Sequence, residues 1–364
     1  MMAKKPTVDP ARLLAIIDGF RRVRVAIVGD LIVDEFIYGD ISRVSREAPV
    51  LILNYDSTEI VPGGAGNAAS NVAALGGSAA AVGVLGRDTT GDRLVDTLRS
   101  RVDVRGVVRP RGFRTPTKTR ILAGGIHSAK QQVVRIDRSS GPALSDADTR
   151  AVRSKLFAAA GKADALLVSD YGSGIVTPAL VRDASSKLRH RVGRSSGHRV
   201  GRSSGHLVGR GFSLAAPPVL VDSRYSLLKY RGITTCTPNE SEVEQLFGIR
   251  IGENTRVLEK AGRTLLERTR SEAVLVTRGS RGMALFERGT PTVHIPISGS
   301  DQIADVTGAG DTVIATMTLA LASGATFLEA ARLANYAGGI VVMKRGTATV
   351  SAGELRHAVE SDRE

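Results

Sequence analysis

The chain has 364 residues, of which 42% are hydrophobic, and it carries a formal net charge of +14 and one cysteine, Cys236. This length suffices for one large α/β domain or two of ordinary size, and a lone cysteine excludes an intramolecular disulfide. Because no stretch approaches the roughly eighteen apolar residues of a membrane span and residues 1–6 lack a signal-peptide core, we expect a soluble, cytoplasmic protein without a membrane partner.

Short apolar runs alternate with longer helical patterns along the chain. Strands are predicted at 23–28, 80–85, 165–168, 219–221, 273–276 and 283–286, and helices at 68–75, 91–98, 147–160, 178–188 and 257–268. The alternation predicts a mostly parallel sheet with helices on both faces, which places ligand sites beyond the carboxyl ends of the strands. Asp30, Asp170, Asp222 and Arg278 each follow a predicted strand, so we expect them to converge on one crevice.

Residues 36–60 and 112–137 interrupt this alternation. They are rich in β-branched residues and short turns, with no helix of useful length between their strands. They predict a small accessory β-sheet, which as a lid would exclude water from a phosphate site. An exposed edge of such a sheet favours a homodimer in which two lids pair.

Half of the surplus positive charge lies in one segment. Residues 185–218 contain seven lysines and arginines and no acid, and the eight residues 191–198 recur unchanged at 199–206. This Gly-, Ser- and Arg-rich tandem repeat predicts an inserted, solvated loop over 189–216. The alternative is a polyanion-binding arm, but the repeat has no aromatic residues for base stacking, so nucleic acid is not the expected partner.

Residues 305–312 read DVTGAGDT and precede an apolar stretch, 313–322, that predicts a helix. The N–H groups at the start of a helix bind phosphate oxygens, and Asp311 in the first turn has the chemistry to accept a proton from an attacking hydroxyl. This combination suits phosphoryl transfer. The alternative is an ordinary helix start, with Asp311 stabilising the helix dipole.

Residues 61–76 form a second motif, in which two glycines lead into a helix of small residues. Gly63 and Gly64 permit close backbone approach, and Asn67 offers both a donor and an acceptor to a polyhydroxylated ligand. Tight helix packing is the alternative explanation of the same pattern. Near it, Asp30 and Asp34 follow the first predicted strand.

These two motifs, in this order, resemble those of the ribokinase-like PfkB carbohydrate kinases, and the resemblance covers essentially the whole chain. Residues 237–242 (TPNESE) are similar to that family's Asn-x-x-Glu element, and residues 275–282 (LVTRGSRG) to its nucleotide-contact strand and turn. The resemblance implies a single kinase domain over 1–364 with a three-layer α/β/α sandwich and a β-sheet lid. It also implies ATP as the phosphoryl donor.

The resemblance further implies roles for individual residues. Asp311 becomes the catalytic base, with an anion hole from the N–H groups of Gly308, Ala309 and Gly310. The implied sugar site comprises Asp30, Asp34, Gly63, Gly64, Asn67 and Asp170. Arg43 and Arg120 are candidates to bind a substrate phosphate by charge and predicted lid position, with a solvated or salt-bridged surface arginine as the alternative.

On the nucleotide side, the implied contacts are Asn239, Thr277, Gly279, Gly282 and Asn335. Asn239 and Glu242 would hold Mg²⁺ through water, because this ion keeps several of its waters. Asp305 and Thr307 are implied to line a site for a monovalent cation, K⁺.

Within the family, the chain is most similar to the kinases of D-glycero-D-manno-heptose 7-phosphate. The similar segments are 29–39, 42–50, 131–137, 169–172, 229–232 and 346–351. This resemblance implies phosphorylation of the anomeric hydroxyl to give the 1,7-bisphosphate, and the end of the chain soon after 351 leads us to expect a kinase without a nucleotidyltransferase domain. Ser173, Arg224 and Arg46 depart from the subgroup's pattern, which leaves open another PfkB-type substrate: ribose, a fructose or ketohexose phosphate, or a nucleoside.

Overall fold

The structure, a computed structural model, describes residues 8–124, 130–139, 141, 143–195, 214, 216–299, 305–344 and 346–362. Within them, nine strands form one sheet with helices on both faces, and four further strands form a smaller sheet. The predicted three-layer sandwich with an accessory sheet is therefore confirmed.

The central sheet has the strand order β13-β12-β11-β10-β9-β8-β1-β4-β5. Neighbouring strands from β11 to β5 run parallel, whereas β12 and β13 add on as antiparallel strands. The strands are β1 Arg24–Gly29, β4 Ser78–Val84, β5 Val102–Val108, β8 Ala165–Asp170, β9 Val219–Ser223, β10 Thr235–Cys236, β11 Ala273–Thr277, β12 Met283–Glu287 and β13 Val293–Ile295.

Helices cover the two faces because successive strand residues point in opposite directions. In β1, Val25 and Ile27 pack into one core cluster, and Ala26 and Val28 pack into the other. The first cluster includes residues of α1 Pro10–Gly19, α2 Ala65–Ala74, α3 Thr89–Arg99, α8 Ala309–Ala322, α9 Phe327–Val342 and α10 Ala352–Ser361. The second includes residues of α4 Asp146–Ala160, α5 Pro178–Ser195, α6 Glu240–Phe247 and α7 Thr255–Thr269.

The smaller sheet contains β2 Leu31–Val44, β3 Leu51–Gly64, β6 Thr117–Gly124 and β7 Gln131–Arg138, in the order β3-β2-β6-β7. It matches the predicted segments 36–60 and 112–137, although β2 and β3 extend further toward the central sheet than predicted. Strand β2 follows β1 after one residue, and β3 runs directly into α2. The start of β2 and the end of β3 therefore lie next to the carboxyl end of β1 in the central sheet. We call these four strands the lid sheet.

The basic segment differs from its prediction at its start. A loop was predicted from residue 189, but α5 continues to Ser195, so the first seven residues are helical. Most of the tandem repeat, residues 196–206, lies outside the described residues, and the polyanion-binding arm stays a prediction. Every helix that the structure describes falls short of the length and apolar content needed to traverse a bilayer.

Candidate active site

The loop before α8 approaches α2 so closely that it requires a glycine. Gly308 has φ 79°, in the left-handed region, and a Cβ atom there would lie 2.5 Å from Nδ2 of Asn67. Helix α8 begins at the next residue, and Asp311 lies in its first turn with 3% of its surface exposed. The motif thus forms a tight turn that places the N–H groups of the first helical turn and a buried carboxylate at one cavity.

Both carboxylate oxygens of Asp311 accept hydrogen bonds. Nδ2 of Asn67 donates to Oδ2 at 2.9 Å, and the hydroxyl of Tyr171 donates to Oδ1 at 3.3 Å. Burial raises the pKa of Asp311 to about 7, while these hydrogen bonds and the charge of Lys118 act in the opposite direction. A carboxyl group with a pKa near neutrality is suited to general-base catalysis.

A cavity of about 470 Å³ opens in front of Asp311. It brings together eleven of the residues proposed from the sequence: Asp170, Asn239, Glu242, Thr277, Gly279, Gly282, Gly308, Ala309, Gly310, Asp311 and Asn335. These residues come from the carboxyl ends of β8 and β11, the turn after β11, the starts of α6 and α8, and α9. The location agrees with the rule for parallel α/β sheets.

An acidic corner lies on one side of the cavity. Asn239 caps α6 in a capping box, where its Oδ1 accepts from the N–H of Glu242 at 2.9 Å and Oε2 of Glu242 accepts from the N–H of Asn239 at 3.0 Å. Burial raises the pKa of Glu242, and burial together with the charge of Glu242 raises the pKa of Asp222. A bound cation would relieve this concentration of half-buried negative charge.

Another part of the cavity is more apolar. Thr277, Gly279 and Gly282 surround the turn between β11 and β12, and Met283, Ile297 and Val313 supply apolar surface. Asn335 lies at the same wall, where its Nδ2 donates to the carbonyl of Pro296 at 2.9 Å. A slot with this composition suits a flat heterocycle.

Arg278 does not converge on the crevice as expected. Its Nε donates to Glu240 at 2.7 Å and its NH2 to the carbonyl of Gly252 at 2.8 Å, so it braces the loop next to the cavity.

The residues assigned to the sugar lie at the base of the lid sheet. Arg120 of β6 forms an ion pair of 2.5 Å with Asp34 of β2, and both side chains are nearly buried. Gly63 lies against this carboxylate, since a Cβ there would collide with Oδ2 of Asp34. The guanidinium of Arg120 is therefore engaged by Asp34, and Arg43 lies exposed at the distal end of β2.

Asp30 and Asp170 are held by their own surroundings. Asp30 accepts from the N–H of Tyr171 at 2.7 Å and from the hydroxyl of Ser173, and burial raises its pKa. Asp170 accepts from Ser223 at 2.7 Å and from Tyr230 at 2.8 Å, yet it also lines the cavity. Asp30 thus anchors the loop after β8, and Gly64, with φ 54°, packs against the Asp30 backbone and the ring of Tyr171.

Asp305 lies in the loop before α8, where Oδ1 accepts from the N–H of Thr307 at 2.9 Å and Oδ2 from that of Gly346 at 3.1 Å. The loop thereby joins the segment after α9. Among the described residues, no group of three or more His, Cys, Asp or Glu side chains has the geometry of a metal site. The monovalent-cation site stays a prediction.

Sequence reasoning assigned no role to Tyr171 or Lys118, and for Asp222 it predicted only a place in the crevice. Tyr171 donates to the carboxylate of Asp311, and Nζ of Lys118 lies 4.8 Å from the centre of the Tyr171 ring. Asp222 and Arg224 line the cavity, and the position of Asp222 after a predicted strand was its sequence signal. Lys118 carried no signal, because it reaches the site only through the pairing of β6 with β2.

Comparison with known proteins places this geometry in context. A family model described as pfkB family carbohydrate kinase matches residues 24–352. The bifunctional protein HldE of Geobacter sulfurreducens is 38% identical over 335 residues, covering 92% of this chain and 62% of that protein. HldE of Aeromonas salmonicida is 37% identical over 348 residues, covering 95% of this chain and 65% of that protein. The chain therefore spans less than two thirds of the length of these relatives.

Two solved structures show a similar fold. Arabidopsis thaliana ribokinase, complexed with ribose and ATP, has a TM-score of 0.64 at 21% identity, with 93% of this chain and 98% of that chain covered. Phosphofructokinase-2 from Escherichia coli, in complex with substrates and products, has a TM-score of 0.69 at 20% identity, with 94% of this chain and 100% of that chain covered. At these identities, the similarity to the two solved structures shows a shared fold only.

Proposed function

Because the chain belongs to the PfkB family of carbohydrate kinases, we propose that it transfers a phosphoryl group from ATP to the anomeric hydroxyl of D-glycero-D-manno-heptose 7-phosphate. The chain is an ATP-dependent sugar kinase of this family. The identity of the sugar is our inference from the segments that resemble the heptose phosphate kinases, such as 42–50 and 169–172. The product would be the 1,7-bisphosphate.

One observation carries the chemical part of the proposal: the buried carboxylate of Asp311 lies beside the N-terminal amides of α8 at a cavity large enough for a nucleotide. Asp311 accepts the proton of the sugar hydroxyl as that oxygen attacks the γ-phosphorus, and the bond from the γ-phosphorus to the β-phosphate oxygen breaks to release ADP. The N–H groups of Gly308, Ala309 and Gly310 stabilise the charge on the transferred oxygens. Because these donors are held by a helix, they need little reorganisation during transfer.

The acidic corner fits a magnesium ion. Glu242 and Asp222 are half-buried carboxylates. Burial raises both pKa values, the charge of Glu242 raises that of Asp222 further, and Asn239 adds an amide oxygen. Oxygen ligands of this kind, with intervening waters, are what Mg²⁺ prefers. The ion would neutralise phosphate charge, while Asn239 and Glu242 keep their capping box and so hold the waters in place.

Two basic side chains support a phosphorylated acceptor. Within the described residues, neither Lys118 nor Arg224 forms an ion pair, and the pKa of Lys118 is lowered by burial and by the charge of Arg224. An anion bound between them would relieve this repulsion. In this proposal, Arg224 compensates for the absence of a lysine at Ser173.

The decisive experiment measures ADP release with a panel of acceptors: D-glycero-D-manno-heptose 7-phosphate, sedoheptulose 7-phosphate, fructose 6-phosphate, ribose and a nucleoside. We expect the highest kcat/KM with the manno-heptose phosphate, and a new anomeric phosphate in the phosphorus NMR spectrum of the product. A tenfold preference for another acceptor would replace the heptose assignment. No ADP release with any of them would contradict the kinase activity itself.

The lid sheet also supports a homodimer. Apolar side chains are exposed on three of its strands: Ile41, Val44, Leu51, Val133, Val134 and Ile136. The edge strand β7 is exposed along its length, and such an edge tends to pair with another sheet. We expect sedimentation of the wild-type chain as a dimer and of an Ile136→Asp variant as a monomer. An unchanged sedimentation coefficient would place the interface elsewhere.

A further inference from the structure

Two side chains, Lys118 and Tyr171, connect the lid sheet to the carboxylate of Asp311. Nζ of Lys118, on β6, lies 4.8 Å from the centre of the Tyr171 ring, a cation–π distance. The hydroxyl of Tyr171 in turn donates to Oδ1 of Asp311 at 3.3 Å. Lys118 and Asp311 therefore touch opposite parts of the same tyrosine.

The two oxygens of Asp311 are supported differently. Oδ2 accepts from Asn67, whose own Oδ1 accepts from Nδ2 of Asn71 at 3.0 Å, so this support comes from helix α2. Oδ1 accepts from Tyr171, which belongs to the loop after β8 and is anchored by its N–H to Asp30. The face of the Tyr171 ring is left to Lys118, and no carboxylate among the described residues pairs with that lysine.

We infer that Tyr171 is a positioning residue for Asp311, and that Lys118 makes this positioning depend on the place of the lid sheet. With the lid sheet over the site, Lys118 holds the ring so that the hydroxyl points at Oδ1. When the lid sheet moves away, the ring loses this contact and Asp311 keeps only the hydrogen bond from Asn67. The inference rests on the proposed function, in which Asp311 is the base.

The charged groups around Asp311 affect its pKa, so the pH dependence of activity reports on its contacts with Tyr171 and Lys118. The groups that face it are Asp34 from β2, Lys118 from β6, Tyr171 after β8 and Asp222 from β9. The charge of Asp311 and burial raise the pKa of Tyr171, so this hydroxyl stays a donor. Burial and Asp34 raise the pKa of Asp311, whereas Tyr171 and Lys118 lower it. Loss of either partner therefore makes the base harder to ionise.

The first test is a Tyr171→Phe variant, which keeps the ring for Lys118 but removes the hydroxyl. We expect the acid limb of its pH profile of kcat/KM to move up by about one pH unit. Activity should therefore fall by up to about tenfold at pH values below the pKa of the base, and much less at higher pH. A Tyr230→Phe variant is the matched control, because Tyr230 donates to Asp170 and not to Asp311. Its acid limb should stay in place.

The second test addresses the lid sheet. Lys118→Met should shift the acid limb in the same direction, and Lys118→Arg, which keeps a cation over the ring, should restore it. Lys130→Met is the control, since Lys130 is also a lid cation but pairs with Asp56 at 2.7 Å. If Lys118 acts through Tyr171, its effect will be smaller in the Tyr171→Phe background than in the wild type.

The outcomes separate this inference from the proposed function. An inactive wild-type chain would overturn both. An active chain whose Tyr171→Phe variant loses rate equally at every pH, or keeps the wild-type acid limb, would overturn only the positioning role. Fully additive effects of the two substitutions would overturn the link through the lid sheet.

Discussion

Nδ2 of Asn67 lies 2.9 Å from Oδ2 of Asp311, so two motifs that are 244 residues apart in the chain meet in one hydrogen bond. The same Nδ2 also donates to the carbonyl of Gly308 at 3.3 Å, and α2 packs against α8. The motif proposed for the sugar and the motif proposed for phosphate are therefore parts of one unit. A change in either should affect the base.

Replacing Asp311 with Asn tests the base directly. The amide keeps the shape of the side chain and can still accept one hydrogen bond, but it cannot take the proton of the sugar hydroxyl. We expect kcat for ADP release to fall by about 10²–10⁴-fold, with a much smaller change in ATP affinity measured by calorimetry. Turnover near the wild-type rate would remove Asp311 from the mechanism.

The same variant should be more stable than the wild type above neutral pH. The folded-state pKa of Asp311 is raised to about 7, so between pH 4 and pH 7 the unfolded chain has lost this proton while the folded chain keeps it. Folding is therefore penalised as pH rises, by on the order of 4 kcal/mol once the group is ionised in both states. Asparagine escapes this penalty, and its advantage in melting temperature should grow from pH 5 to pH 8.

Glu354 provides a control in which the pKa shift, and therefore the pH dependence of stability, has the opposite sign to that of Asp311. Burial acts against it, but hydrogen bonds from Lys344 and Ser351 lower its pKa to about 2. Its stabilising contribution is present above the unfolded-state pKa and is lost as pH falls toward 2. A Glu354→Gln variant should be less stable than the wild type at pH 6, and the difference should shrink on acidification.

A pair of glycine substitutions tests the turn before α8. Gly308→Ala places a Cβ in the left-handed region and 2.5 Å from Asn67, so we expect a loss of about 1–3 kcal/mol of unfolding free energy and a lower melting temperature. Gly310→Ala adds a Cβ with nothing within 4 Å and should melt like the wild type. Equal stability of the two variants would mean that the turn relaxes without cost.

Glu242→Gln tests the acidic corner. Glutamine can still accept the N–H of Asn239, so the capping box survives while the negative charge is lost. We expect the Mg²⁺ concentration for half-maximal activity to rise by about tenfold or more. Glu329→Gln is the control, because Glu329 forms the same capping box with Thr326 at the start of α9. An unchanged Mg²⁺ requirement in Glu242→Gln would place the ion elsewhere.

The sequence predicted most of the sheet and many of the helices because apolar periodicity is a local property. The runs at 23–28 and 165–168 became β1 and β8, and the segments 36–60 and 112–137 became the lid sheet. Short elements with weak patterns, such as β10 and β13, were missed. The end of α5 was also misjudged, because arginine is a good helix former and a charged composition alone does not end a helix.

For the site, the sequence by itself determined the groups that depend on backbone chemistry: Gly308 before a helix start, Asp311 in its first turn, and the capping pair Asn239 and Glu242. Only the tertiary structure decided which side chains remain available to a ligand. Arg120 forms an ion pair with Asp34, whereas Lys118 lies above the ring of Tyr171. The reason is physical, since the charge state and partners of a buried group depend on neighbours that strand pairing brings from distant parts of the chain.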